Sequence, residues 1–323
     1  MGQVQTVRGP VDAGALGRTL MHEHVFIRTL EIEPNWPTGW DRAAAVADAV
    51  GRLRGLKEAG IDTIVDLTVP GLGRDAGPVA EVAAQVDLHI VAATGYYTYH
   101  HLPHYFDYRT AQFRGGRDIL EDYFRTDVED GIDGSAVRPG ILKCATDEAG
   151  VTPGVERILR AVARTHRATG IPISTHTHAG TRRGLDQQRI FTDEGVDLSR
   201  VVIGHSGDTT DLGYLEELLA AGSTLGMDRF GVDAYCPTEQ RIETVARLCE
   251  RGWADRLVLS HDTNCHIDWF DPGLLAAAAP NWHFLHISRD ILPALRARGV
   301  TEAQVDQMLV DAPRRILDHG PGY

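Results

Sequence analysis

Short apolar runs rich in Val, Ile and Leu recur along the chain and alternate with longer segments whose apolar residues repeat at helical spacing. The runs fall at 18–27, 62–69, 88–97, 137–146, 171–178, 200–206, 223–230 and 256–262, each flanked by Gly, Pro or Asp. Parallel strands buried on both faces have this brief, nearly continuous apolar character. The intervening pattern predicts helices, among them 41–60, 152–170, 184–195, 211–222, 238–252 and 288–299. The second of these carries its own boundaries: Thr152 is placed to cap it, Pro153 and Glu156 suit its first turn, and Gly170 closes it.

Eight strands alternating with helices form either a closed (β/α)8 TIM barrel or an open doubly wound sheet. A dinucleotide-binding sheet shows GxGxxG after an early strand, and none of these strand ends carries it. The barrel is the expected α/β architecture. No Ser/Gly- or Pro-rich stretch reads as a linker, so residues 1–323 are expected to form one domain.

Composition narrows the partners. The 323 residues carry 32 Lys and Arg against 45 Asp and Glu, a formal net charge of −13. An acidic surface repels nucleic-acid phosphates and anionic lipid, so neither is an expected partner. No run approaches the ~18 apolar residues of a membrane span. The opening MGQVQTVRGPVDAG lacks the charged and apolar regions of a secretory signal. The four cysteines, Cys144, Cys236, Cys249 and Cys265, show no CxxC spacing and suit reduced, buried thiols. The expectation is a cytoplasmic enzyme.

Barrel active sites gather where the strands end, and there the chain changes character. Strand one ends in His22-Glu23-His24, strand four carries Lys143, and strand five ends in His176-Thr177-His178. His205 closes strand six, Asp228-Arg229 strand seven and Asp262 strand eight. Residues i and i+2 of a strand share a face, so His22 and His24 both point into the barrel mouth as half of a zinc-type coordination sphere. Alone, such a pair is often just two histidines on a polar strand face.

Lys143 sits within Gly-Ile-Leu-Lys-Cys-Ala, where a buried ammonium is costly. It either reaches solvent or an acid, or it loses its proton and becomes free to form a Schiff base or a carbamate. His176 and His205 taken singly suit hydrogen-bonded structural histidines, and Asp262 after an apolar run needs a metal, a cation or several donors. Together, four histidines, a buried lysine and an aspartate at the strand ends of one barrel point to metal. His178 shares the face of His176, so spacing alone does not separate them. His261 should face the helices and be structural.

In order, LMHEHVFI, GILKCATDE, STHTHAG, VVIGHSGDTTD, GMDRFG, VLSHD and the closing MLVDAPRRIL resemble the phosphotriesterase family of the amidohydrolase superfamily. Within it the chain is most similar to the phosphotriesterase-like lactonases, in particular the actinobacterial acyl-homoserine lactonases. The resemblance implies a binuclear centre of two divalent ions: zinc, with cobalt, manganese or iron as alternatives. His22, His24 and Asp262 would hold the more buried ion and His176 and His205 the more exposed one, with carboxylated Lys143 (N6-carboxylysine) and a hydroxide bridging them. His178 falls outside the implied ligand set.

Tyr97 and Arg229 match residues beside the substrate, and Trp269 matches a loop-eight aromatic that contacts the acyl chain. The implied reaction is hydrolysis of N-acyl-homoserine lactones and related γ- and δ-lactones, hence quorum quenching, with Asp262 taking up the proton and weak phosphotriesterase activity alongside. The implied assembly is a homodimer. Strands seven and eight lie little more than a helix apart, which leaves loop seven short and loop eight long, as in lactonases of this family. A dedicated phosphotriesterase and another esterase or amidase of the superfamily remain open alternatives.

Overall fold

The apolar runs do become strands. A computed structural model describes residues 2–323, the side chain of Phe113 excepted. An N-terminal antiparallel hairpin, β1 (Gln3–Thr6) and β2 (Gly9–Asp12), precedes the barrel. The barrel strands are β3 (Thr19–Ile27), β4 (Thr63–Asp66), β5 (His89–Gly95), β6 (Ile141–Ala145), β7 (Ile173–His176), β8 (Val201–Ile203), β9 (Thr224–Met227), β10 (Leu257–Leu259) and β11 (Asn264–Ile267). They pair in parallel in the order β10-β9-β8-β7-β6-β5-β4-β3-β11, with helices in the crossovers, and curl into a (β/α)8 barrel.

The eighth strand position is split. β10 pairs only with β9, and β11 pairs only with β3, so the chain changes partner across Ser260–Thr263. The seam between β3 and β10 is bridged by His22 N–H to Ser260 Oγ at 2.8 Å and Asp262 N–H to His22 O at 3.1 Å. β3 consequently runs past the His22-Glu23-His24 segment to Ile27, because β11 gives its upper half a partner. Most other strands are shorter than their apolar runs. β7 stops at His176 and β8 at Ile203, so His205, Asp228 and Asp262 lie just beyond strand ends.

The predicted helices appear with trimmed ends, for example Arg42–Glu58 and Pro153–Thr169. Thr152 caps the second, accepting from Val155 N–H, and Gly170 closes it at φ +79°. The hairpin and the helices Ala76–Ala83, Ile119–Glu129 and Pro272–Ala278 are additions to the expected elements. Wide π turns at Ile287–Ile291 and Gln307–Asp311 lead into Pro293 and Pro313, where proline lacks the N–H that a regular helix needs.

Alternation along each strand divides the core. Ile64 and Leu142 pack outward under the helices, while Val65, Val91, Ile141, Val202 and Val258 fill the barrel floor. The hairpin residue Val4 and Ile316 of the Ala312–Leu317 helix join that floor and seal it. In β3 the register shifts between Leu20 and Glu23. This irregularity lets Leu20 pack outward although His22, two residues on, faces the interior. All four cysteines are buried and unpaired. Among the described residues no helix is long and apolar enough to cross a membrane.

Candidate metal centre and active site

The residues expected to bind metal or substrate line one cavity of about 330 Å³ at the C-terminal mouth: His22, His24, Tyr97, Lys143, His176, His205, Arg229, Asp262 and Trp269. Among the described residues, His22, His205 and Asp262 offer ligand-type atoms all within 4.8 Å of one another. His24 Nε2 lies 3.1 Å from Asp262 Oδ1, and Lys143 Nζ lies 3.0 Å from His22 Nε2. The His176 ring packs edge-on against His205 with centroids 4.4 Å apart. His178 stays out. The strand ends at His176, so alternation does not extend to it, and its Nδ1 meets Thr181 Oγ1 instead.

Each imidazole is held from behind by one nitrogen. Asp228 meets His22 Nδ1 at 2.8 Å through one oxygen and His205 Nδ1 at 2.9 Å through the other. Thr68 Oγ1 meets His24 Nδ1 at 2.8 Å and donates to Asp66 at 2.5 Å. Asp147 meets His176 Nε2 at 2.7 Å. The second nitrogen of each ring is thereby left for the centre, the arrangement by which outer carboxylates orient metal-binding histidines. Asp228 fits because Gly204 and Gly226 are bare: a Cβ on Gly226 would strike its carboxylate.

From sequence, Asp228 stood out only as a strand end with no orienting role, and Asp66, Thr68 and Asp147 were missed. Their signals were available in Asp66-Leu-Thr68 at the end of strand two, Asp147 four residues after Lys143, and Asp228 beside Arg229. His205 and Asp262 both adopt left-handed backbone, at φ +58° and +55°. Non-glycine residues held in this region concentrate at functional sites.

The electrostatics favour ligand forms. Burial lowers the His22 pKa, pulls His176 down to about 4 and holds His205 well below its ordinary value, so the rings carry lone pairs. Burial also brings Lys143 down to about 8, which makes its neutral amine accessible. Burial would push Asp262 up, but the His24 hydrogen bond and the Arg229 guanidinium keep it well below the usual carboxylate range. Imidazoles, a carboxylate and a deprotonatable lysine form a donor set suited to divalent metal ions. His261, as expected, faces away from the cavity, with Nδ1 2.8 Å from Glu23.

Arg229 donates through Nε to Asp262 and through Nη1 to Asp208, each at 2.9 Å, and stacks under the exposed ring of Tyr235. Tyr97 and Tyr99 pair through their hydroxyls, and burial raises Tyr97 well above and Tyr99 to about 12. Both therefore remain protonated donors near neutrality. Loop seven is short, residues 228–237. The long segment after Asp262 supplies an apolar wall of Ile267, Trp269, Phe270, Leu275 and Trp282.

A family model described as "Phosphotriesterase family" matches residues 2–317. The chain belongs to the phosphotriesterase family. It is 60% identical to the "Phosphotriesterase homology protein" of Mycobacterium tuberculosis, with 100% of each chain covered. The solved structure described as "Structure of the phosphotriesterase from Mycobacterium tuberculosis" superposes with a TM-score of 0.97 at 59% identity, covering 99% of this chain and 100% of that one. A second structure is described as "Molecular Engineering of Organophosphate Hydrolysis Activity from a Weak Promiscuous Lactonase Template". It superposes with a TM-score of 0.89 at 37% identity, covering 98% of this chain and 99% of that one. Family membership makes the coarse chemistry hydrolysis, and the donor set in the cavity is compatible with metal.

Proposed function

We propose that this phosphotriesterase-family chain is a metal-dependent lactonase that opens N-acyl-homoserine lactones and related γ- and δ-lactones. One observation carries the reading: the polar cluster shares a single cavity with the apolar wall of loop eight. A ring with a polar ester and an apolar tail presents both chemistries at that spacing, and Trp269 and Phe270 suit the tail. The short loop seven and long, helix-bearing loop eight support the same substrate class, as does likeness to a structure whose description names a lactonase template.

His22, His24, Asp262, His176, His205 and a carboxylated Lys143 would hold two divalent ions. Such a pair would supply Lewis acidity and a water of lowered pKa. The chain's own residues do the rest. Asp262, ionised and held by Arg229, accepts a proton at its carboxylate and returns it toward the leaving alkoxide. Of the two hydroxyls in the Tyr97–Tyr99 pair, one proton bridges the oxygens and the other is free to donate to a developing oxyanion. Arg229 contributes a fixed positive charge at the wall. Ring opening then yields a hydroxy acid.

Dedicated phosphotriester hydrolysis is the second reading, favoured by the name of the 60%-identical relative. A panel of acyl-homoserine lactones, aliphatic lactones and paraoxon decides between them, run with metal-loaded protein, chelated protein and Lys143→Ala. Lactone opening that exceeds paraoxon turnover and vanishes in the chelated and variant samples is expected. Faster paraoxon turnover would reverse the assignment.

A further inference from the structure

Glu23 lies between His22 and His24 but points away from the cavity, and it is fully buried. A buried carboxylate needs donors, and it has three. His261 N–H donates to Oε1 at 2.9 Å, His261 Nδ1 lies 2.8 Å from the same oxygen, and Thr263 N–H donates to Oε2 at 3.0 Å. Ile287 N–H donates to His261 Nε2 at 3.0 Å, so the ring proton sits on Nδ1 and also points at Glu23.

The two backbone donors flank Asp262, which holds the left-handed conformation at φ +55°. They are also the amides stranded where the eighth strand position changes partner, between β10 on β9 and β11 on β3. Buried amides without a ladder acceptor must find another, and the Glu23 side chain supplies both. The neighbouring groups close the same turn, with Asp262 N–H on His22 O and His24 N–H on Thr263 O. The segment that supplies two histidines from one face thus fixes the backbone of the aspartate from the other.

We propose that Glu23 is a positioning residue that holds Asp262 in its left-handed conformation, with its carboxylate preset beside His22 and His24 before any metal arrives. This rests on the reading of Asp262 as a metal ligand. Glu23 itself does not line the cavity. Its effect therefore passes through the backbone of 261–263. Glu23→Gln retains shape and one acceptor but sets an NH2 donor against another donor, either Thr263 N–H or the His261 pair.

The test has two arms. In the chelated wild-type protein, the His261 and Thr263 amides should exchange slowly with solvent, because positioning precedes metal. Exchange as fast as in an open loop overturns the proposal, and this arm stands even if the variant does not fold. In the second arm, Glu23→Gln should bind Co2+ about 10–100-fold more weakly than wild type, with an altered visible spectrum. Asp127→Asn, a buried carboxylate change outside the site where Arg74 and Thr94 are held, should keep the wild-type affinity and spectrum. Wild-type Co2+ affinity and spectrum in Glu23→Gln overturn the proposal. Failure of the wild-type protein to bind Co2+ would instead remove the metal reading, while the exchange arm still judges the role of Glu23.

Discussion

The two ends of the barrel are built from the same strands and do opposite things. At the N-terminal end the interior is Val65, Val91, Ile141, Val202 and Val258, closed by Val4 of the hairpin and Ile316 of the last helix. At the C-terminal end the interior is imidazole, amine and carboxylate. Within β6 the change takes two residues, from Ile141 in the floor to Lys143 in the cavity. Burying apolar side chains stabilises the fold, whereas burying Lys143, Asp228 and Glu23 costs desolvation that only their partners offset. One end carries the stability that lets the other hold groups in place for chemistry.

The largest break in that comparison comes from the floor. Ile316→Ala should lower unfolding free energy by about 2–5 kcal/mol, measured by denaturant titration. The hydrolysis rate per folded, metal-loaded molecule should stay at the wild-type value; a proportional loss of rate would mean that the ends are not separable. At the other end, Asp228→Asn places an amide NH2 opposite one of the two Nδ1–H groups of His22 and His205. Metal affinity should fall about 10–100-fold by calorimetry, with a much smaller change in stability than in the floor variant.

Trp269 is 45% exposed on the rim. Trp269→Ala should raise KM for long-chain acyl lactones several-fold, leave short ones nearly unchanged and shift stability by no more than about 0.5 kcal/mol. Equal effects on both chain lengths would remove it from the tail wall. The smallest effect concerns His166, away from both ends. Burial lowers its pKa, and it bonds Ile171 O and Tyr323 Oη. The unfolded chain therefore binds the His166 proton more readily, near the ordinary value of about 6.5. Its contribution is complete above that pH and is lost as pH falls through and below it. His166→Gln should flatten the acid side of the stability profile slightly, relative to wild type.

The alternation of apolar runs and helical segments made the barrel legible, because parallel strands buried on both faces leave a continuous signal. The hairpin did not stand out: Gln3–Thr6 and Gly9–Asp12 are four residues each and half polar, with only one side against the floor. The split of strand eight was equally hidden, since it depends on Asp262 taking a left-handed backbone and on Glu23 receiving stranded amides from 238 and 240 residues away. The ligand-type residues were legible as strand-end polar groups in apolar surroundings. The residues that orient them were legible only as positions, Asp228 at a strand end and Asp147 near Lys143, because an aspartate such as Asp147 in a loop shows no role until His176 is seen beside it.

The most direct measurement is a titration of chelated protein with a divalent metal ion, following bound metal and lactone ring opening in the same samples. The expected result is two ions bound per chain, with ring opening absent at the start and rising to its maximum as the second is bound. Ring opening in the fully chelated protein, or metal binding that never produces it, would contradict the assignment of the polar end as a metal-dependent lactonase site.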